Sequence, residues 1–248
     1  MIRRLRPLIL IHLVGDALLL WLGYLWLGTS EATTARLLWS GVSALLLLLA
    51  ALWLTGATLV YFREGGDLRP AFVRTLHHLL PLLLLALLAW SLYALLDVWQ
   101  AFSQRPAFAI ASWLTLHLRR PVKPEGVMRV FNVMLWIVRW AVLPVLLLPA
   151  AASIAENGWS GFVRRVGSRS RRWIYWAEVT LLVPAAFWLP FVLLRWIPKM
   201  PNFGLEMLSF VVRFGVGYLC FVASLIALSF VTSSGRPRSS QPSTVVSP

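Results

Sequence analysis

Along this chain, apolar positions run on for twenty residues and more between short polar breaks, with no sustained alternation of period two. Six such runs occupy positions 7–27, 37–62, 77–99, 130–152, 173–197 and 205–231. About 20 residues in a helix cover the roughly 30 Å of bilayer hydrocarbon. Backbone inside hydrocarbon must satisfy its own hydrogen bonds, and these runs are far too long for tilted barrel strands, so each predicts a helix. The expected fold is all-α, a polytopic transmembrane helical bundle of six spans.

Three stretches need separate readings. The start, Arg3-Arg4-Leu5-Arg6 before an apolar run, resembles a secretory leader. Its core is too long, Asp16 interrupts it, and no small-residue cleavage site follows Gly28, so it reads as an uncleaved first span. The apolar stretch 107–118 has only twelve residues, about 18 Å as a helix, and cannot cross alone. It reads as an interfacial or re-entrant segment with Trp113 at headgroup level. Positions 233–248 are rich in Ser, Pro and Arg and read as a disordered tail.

Composition agrees with the pattern. Of 248 residues, 59% are hydrophobic and only 13% charged, too few polar groups to cover a water-soluble globule. That excludes an ordinary soluble enzyme, a disordered chain and a secreted disulfide scaffold. The single cysteine, Cys220, lies inside an apolar run and offers neither a disulfide nor a thiolate metal cluster.

The net charge of +14 would point to nucleic acid in a soluble protein. In a membrane protein the placement of the cations decides. With the N-terminus inside, thirteen arginines fall on the inner connections and eight Lys and Arg on the outer ones, while Arg139 and Arg213 lie within spans. The expected arrangement is a bacterial inner membrane protein with both termini cytoplasmic. Its expected partners are anionic lipid headgroups and other membrane subunits, not nucleic acid. The densest inner cluster, Arg164, Arg165, Arg169, Arg171 and Arg172, is the candidate for anionic lipid contact.

Ionisable residues inside the spans are the best functional pointers, because each costs about 2.5 to 3.5 kcal/mol at mid-span on insertion scales. They are His12, Asp16, Asp97, Arg139, Glu178 and Arg213. His12 and Asp16 share one helical stripe of the first span. Arg213, Gly217, Cys220, Ser224 and Ala227 share a small-residue face of the last, which should turn inward. Opposite signs at similar depth make Asp97 a partner for Arg139 or Arg213. Ordinary packing with snorkelling ends is the competing account of the whole set.

Signatures of catalysis are absent. The sequence contains no G-x-x-x-x-G-K-[ST], G-x-G-x-x-G, H-E-x-x-H or G-x-S-x-G, and no paired carboxylates at converging spacing. His77 and His78 are adjacent, so their side chains diverge by about 100° and cannot chelate together. His117 sits beside Arg119 and Arg120 and should be solvated. No catalytic residue, metal ligand set or cofactor is expected, although His12 and the His77-His78 pair lie at depths where a haem is conceivable.

Two inner connections look alike. Glu64-Gly65-Gly66 leads to Phe72-Val73-Arg74, and Glu156-Asn157-Gly158 leads to Phe162-Val163-Arg164. Each reads as a turn followed by a short basic amphipathic stretch. The second, over 156–173, resembles a pattern in bacterial six-helix membrane families and is similar to the membrane domain of glycerophosphoryl diester phosphodiesterases. That resemblance implies architecture and transfers no catalytic residue. The functional expectation is a scaffold, assembly factor or accessory subunit. The alternatives are a small transporter or channel with a polar path near Asp16, Arg139 and Arg213, and a lipid-binding or lipid-modifying protein.

Overall fold

The computed structural model describes residues 2–29, 32–64, 66–161, 172–198 and 200–233. Among these, every regular element is helical, and six helices are long and apolar enough to cross a membrane. The chain has the build of a multi-pass integral membrane protein.

In order, the elements are α1 (Ile2–Leu27), α2 (Thr34–Tyr61), α3 (Leu68–His77), α4 (Leu79–Phe102), α5 (Gln104–Leu118) and α6 (Pro124–Ile137). A π-turn (Val138–Val142) joins α6 to α7 (Leu143–Asn157), and a 3-10 turn (Gly158–Gly161) follows. The last two helices are α8 (Trp173–Arg195) and α9 (Phe203–Ser233).

Local chemistry sets the boundaries. Thr33 caps α2 by accepting from the Arg36 amide at 3.3 Å. Pro124 opens α6, where its missing N–H is harmless. The third apolar run does not begin at 77 as one helix: the chain breaks at His78 (φ −110°, ψ 17°), and α4 starts at Leu79. Pro81 explains the break, since it cannot donate to the carbonyl of His77 and its ring would press on that carbonyl.

The fourth span is much longer than its apolar core, running from Pro124 to Ser160 over 37 residues. Its first turns are covered by α5, which is three residues longer than its apolar core because Gln104, Arg105 and Pro106 supply the first turn. Ser103 Oγ reaches Met128 Sδ at 3.8 Å, and the Val122 amide donates to Thr115 Oγ1 at 3.0 Å. These two contacts tie both ends of α5 to the chain that leads into and begins α6. Arg119 in the left-handed region (φ 51°) turns the chain between them.

The best-packed part of the bundle lies where α3, the start of α4 and the ends of α2 and α7 meet, here called the near end. Leu8, Val60, Tyr61, Ala71, Leu82 and Ile154 form its centre. A second cluster of Val145, Tyr175, Val179, Val183 and Leu228 joins α7, α8 and α9. Small residues allow the close approach that replaces hydrophobic driving force in lipid. A β-carbon on Gly56 would stand 2.7 Å from Thr75 Cγ2 and 3.1 Å from Leu82 Cδ1. One on Gly217 would stand 3.4 Å from the Pro190 backbone. Towards the opposite, far end many large apolar side chains face outward, among them Trp21, Tyr24, Trp39, Trp99 and Phe203, as lipid-facing helices require.

Candidate functional site

One turn of α1 separates His12 from Asp16, so both project from the same face towards α2. His12 is fully buried and Asp16 is 6% exposed. His12 Nδ1 lies 2.9 Å from Asp16 Oδ2, and His12 Nε2 lies 2.6 Å from Thr58 Oγ1. Thr58 Oγ1 is also 2.8 Å from the carbonyl of Leu54, one turn back on α2. From α9 the hydroxyl of Tyr218 donates to the Leu13 carbonyl at 2.6 Å, pinning α1 at this level. Both imidazole nitrogens are therefore engaged within the bundle, and neither is turned to His77 or His78.

Asp97 and Arg139 meet in an ion pair between α4 and the π-turn. The Asp97 side chain is 66% exposed and that of Arg139 28%, so the pair sits at the bundle's surface. Its setting comes from Pro144. In the π-turn the Leu143 amide donates to Val138 rather than to Arg139. The next residue, Pro144, has no N–H, so the Arg139 carbonyl receives no amide from its own helix. Tyr93 of α4 supplies the missing donor, its hydroxyl standing 2.9 Å from that carbonyl.

Arg213 takes a different role. It is 8% exposed and gives its guanidinium to main-chain carbonyls: Ser209 at 3.1 Å, Leu193 at 3.3 Å, and Trp196. Leu193 and Trp196 carry unsatisfied carbonyls at the C-terminus of α8, where a cation is favoured by the helix dipole. Of the face read from the sequence, Arg213, Gly217 and Ser224 are buried, while Cys220 and Ala227 are only half-buried. Glu178 is exposed on α8, with no hydrogen bond or ion pair among the described residues.

Asp16, Arg139 and Arg213 are thus committed to different neighbours and do not converge. The cavities nearby are apolar. The largest described, about 480 Å³, opens between α1 and α9 and is lined by Leu5, Ile9, Leu13, Leu219, Ile226 and Phe230 among others. A second, about 240 Å³, lies between α8 and α9 beside Phe187, Pro190, Phe214 and Phe221. Neither is lined by Asp16, Arg139 or Arg213.

The near end holds a second polar cluster that the sequence reading passed over. Arg63, just beyond α2, forms a buried ion pair with Glu156 at the end of α7, and also donates to the Ala152 carbonyl at 3.1 Å. Next to it Glu64 pairs with Arg74 of α3 at 2.6 Å. These are the acids of the two look-alike connections, and the likeness extends to the backbone. Gly66 (φ 99°) and Gly158 (φ 59°), each two residues after its acid, both adopt left-handed conformations where glycine alone is unstrained. The His78 ring covers Gly158, whose β-carbon would lie 3.0 Å from Nδ1. Burial first, then the neighbouring charges of His77 and Arg74, lower the His78 pKa below the usual histidine value. The repeated acid-x-Gly was the available signal: acids at two helix ends beside arginines mark a cluster.

Of the arginines proposed for lipid contact, Arg172 is exposed at the N-terminus of α8, while Arg164, Arg165, Arg169 and Arg171 lie outside the described residues, as do positions 234–248 of the tail. His117 is exposed, with Nδ1 2.9 Å from the Trp113 carbonyl and its ring tilted against the Trp113 ring at 4.1 Å between centroids. Among the described residues no group of three or more His, Cys, Asp and Glu could hold a metal ion. No family model matches the chain, and neither a curated protein nor a solved structure is similar to it at a significant level.

Proposed function

We propose that this protein is a membrane-embedded scaffold, assembly factor or accessory subunit without catalysis of its own. The observation that carries the reading is the closure of its interior. Asp16, Arg63, Glu156 and Arg213 are each spent on partners within the chain, and the two cavities beside them are walled by apolar and aromatic side chains, with the Tyr218 hydroxyl at the second already bonded to Leu13. A transport path needs polar groups left facing water, and a catalytic site needs polar groups that converge on a reacting atom.

The near end faces the cytoplasm of a bacterial inner membrane in this reading, with the basic connections against anionic headgroups. The far-end α5–α6 hairpin, with Phe108, Trp113 and Leu116 exposed, offers a surface for another membrane subunit or the headgroup layer. The likeness of 156–173 to the membrane domain of glycerophosphoryl diester phosphodiesterases fits such a role, since there the chemistry belongs to an attached domain.

Chemical cross-linking in native membranes followed by mass spectrometry is the test. A partner subunit recovered at fixed stoichiometry, with cross-links to α5–α6, is the expected result. Recovery of the chain alone, together with solute flux in reconstituted vesicles that Asp16→Asn abolishes, would overturn the scaffold in favour of the transporter.

A further inference from the structure

We propose that His12, Asp16 and Thr58 form a binding site for one exchangeable proton, switched by rotation of the Thr58 hydroxyl. The inference follows from counting hydrogens. Thr58 has a single hydroxyl proton, yet its oxygen stands 2.6 Å from His12 Nε2 and 2.8 Å from the Leu54 carbonyl. The carbonyl is an acceptor only, so two arrangements satisfy the distances.

In the first, Thr58 donates to Leu54, and His12 must donate through Nε2–H to the threonine oxygen. His12 Nδ1 then lies 2.9 Å from Asp16 Oδ2 with nothing between an imidazole lone pair and a carboxylate lone pair unless a proton is added. That proton sits on Nδ1, giving an imidazolium-aspartate pair, or on Asp16, giving a neutral acid donating to Nδ1. Either way the site holds one proton more than a neutral histidine beside a carboxylate.

In the second, Thr58 turns and donates to Nε2. His12 now carries its hydrogen on Nδ1 and donates it to ionised Asp16, and the extra proton has left to water. The Leu54 carbonyl loses only its second donor, because the Thr58 amide still bonds it within α2. The exchange is balanced: one proton is taken from or returned to solvent, the Thr58 hydroxyl moves its hydrogen bond from Leu54 to His12, and the ring gives up its Nε2 hydrogen, either outright from the imidazolium or by changing tautomer as Asp16 passes its proton to Nδ1 and loses one. Asp16, 6% exposed, is the least buried of the three and is the member at which the proton is exchanged.

The groups facing the pair are few. From α2 comes Thr58, which does not titrate. From α9 comes Tyr218, whose hydroxyl is held by the Leu13 carbonyl, and Arg213 on the same helix is committed to the carbonyls of α8. The site is independent of the scaffold reading. It would serve a transporter equally, and in a scaffold it ties the α1–α2 contact to proton availability.

The experiment uses the full-length chain in lipid nanodiscs with nitrogen-15-labelled histidine, and His12→Asn to identify the His12 signals. Spectra recorded over a series of pH values should show His12 in two forms, an imidazolium or Nε2–H form at the acid end and the neutral Nδ1–H form at the other. Thr58→Ser should behave in the same way. Thr58→Val, which keeps the shape and removes the relay, should show neutral Nδ1–H throughout and lose the uptake step. A single unchanging form of His12 in the natural chain, or a Thr58→Val protein that titrates as the natural one does, would overturn the proposal. The first outcome needs no substitution at Thr58 to fold.

Discussion

The hydroxyl of Tyr93 donates at 2.9 Å to the Arg139 carbonyl, a group that the π-turn and Pro144 together leave without an amide. A side chain from α4 thereby repairs a backbone defect in the neighbouring span. The defect also aims Arg139 at Asp97, because the turn rotates the helix where the guanidinium leaves it.

Tyr93→Phe should therefore destabilise the bundle by about 1 kcal/mol, the scale of a lost hydrogen bond in a membrane protein, without altering its shape. Thermal unfolding in detergent reads the loss. Adding Pro144→Ala returns an N–H to the helix, so the same Tyr93→Phe change should cost clearly less in that background. Equal costs in the two backgrounds would separate the tyrosine from the proline.

The Arg63–Glu156 pair is buried at both ends, so removing one partner strands a charge. Glu156→Gln or Arg63→Gln should each cost about 3 to 5 kcal/mol, and the double change should cost less than the two added together. A double-mutant cycle in unfolding free energy checks the coupling.

Gly56 admits α3 and α4 against α2. Gly56→Ala should lower the unfolding temperature, since its new methyl meets Thr75 Cγ2 at 2.7 Å. Thr75→Ser removes that methyl while keeping the hydroxyl bond to the Ala71 carbonyl, and should restore part of the loss. Failure of the serine to help would place the damage at Leu82 instead.

For His78 the sign is set by its depressed pKa. The unfolded chain protonates at about the free value of 6.5 while the folded one resists. The contribution is complete above 6.5 and is lost as pH falls below it towards the folded value. Unfolding followed against pH should show this acid loss, reduced in His78→Gln. The ring is only partly buried, so the effect is small.

Much of the fold was legible because span length is set by the bilayer and apolar runs report it directly. The limits of those runs were less legible. Pro81 split the third run at His78, and α5 covered the extra turns of the fourth, where polar residues such as Arg129 concealed a continuing helix. Among site residues, the stripe of His12 and Asp16 followed from helical spacing. Their third member, Thr58, carries no charge to distinguish it from any other threonine in a span. Asp97 faced two candidate arginines of similar depth. The choice fell to Arg139 because the open carbonyls of α8 hold Arg213, a demand of backbone that side-chain patterns do not carry. The pairing of Arg63 with Glu156 escaped notice because the two lie 93 positions apart at ends read as loops.

The stretch from Pro124 to Ser160 has a consequence for the choice of membrane. Its 37 residues reach about 55 Å as a helix, against about 30 Å of hydrocarbon. A stretch so overlong leans more in a thin bilayer and stands straighter in a thick one, and the π-turn interrupts its regular hydrogen bonding midway. Bilayers of different acyl length therefore ask different amounts of lean from this span, and the α5–α6 hairpin at its far end is carried with it.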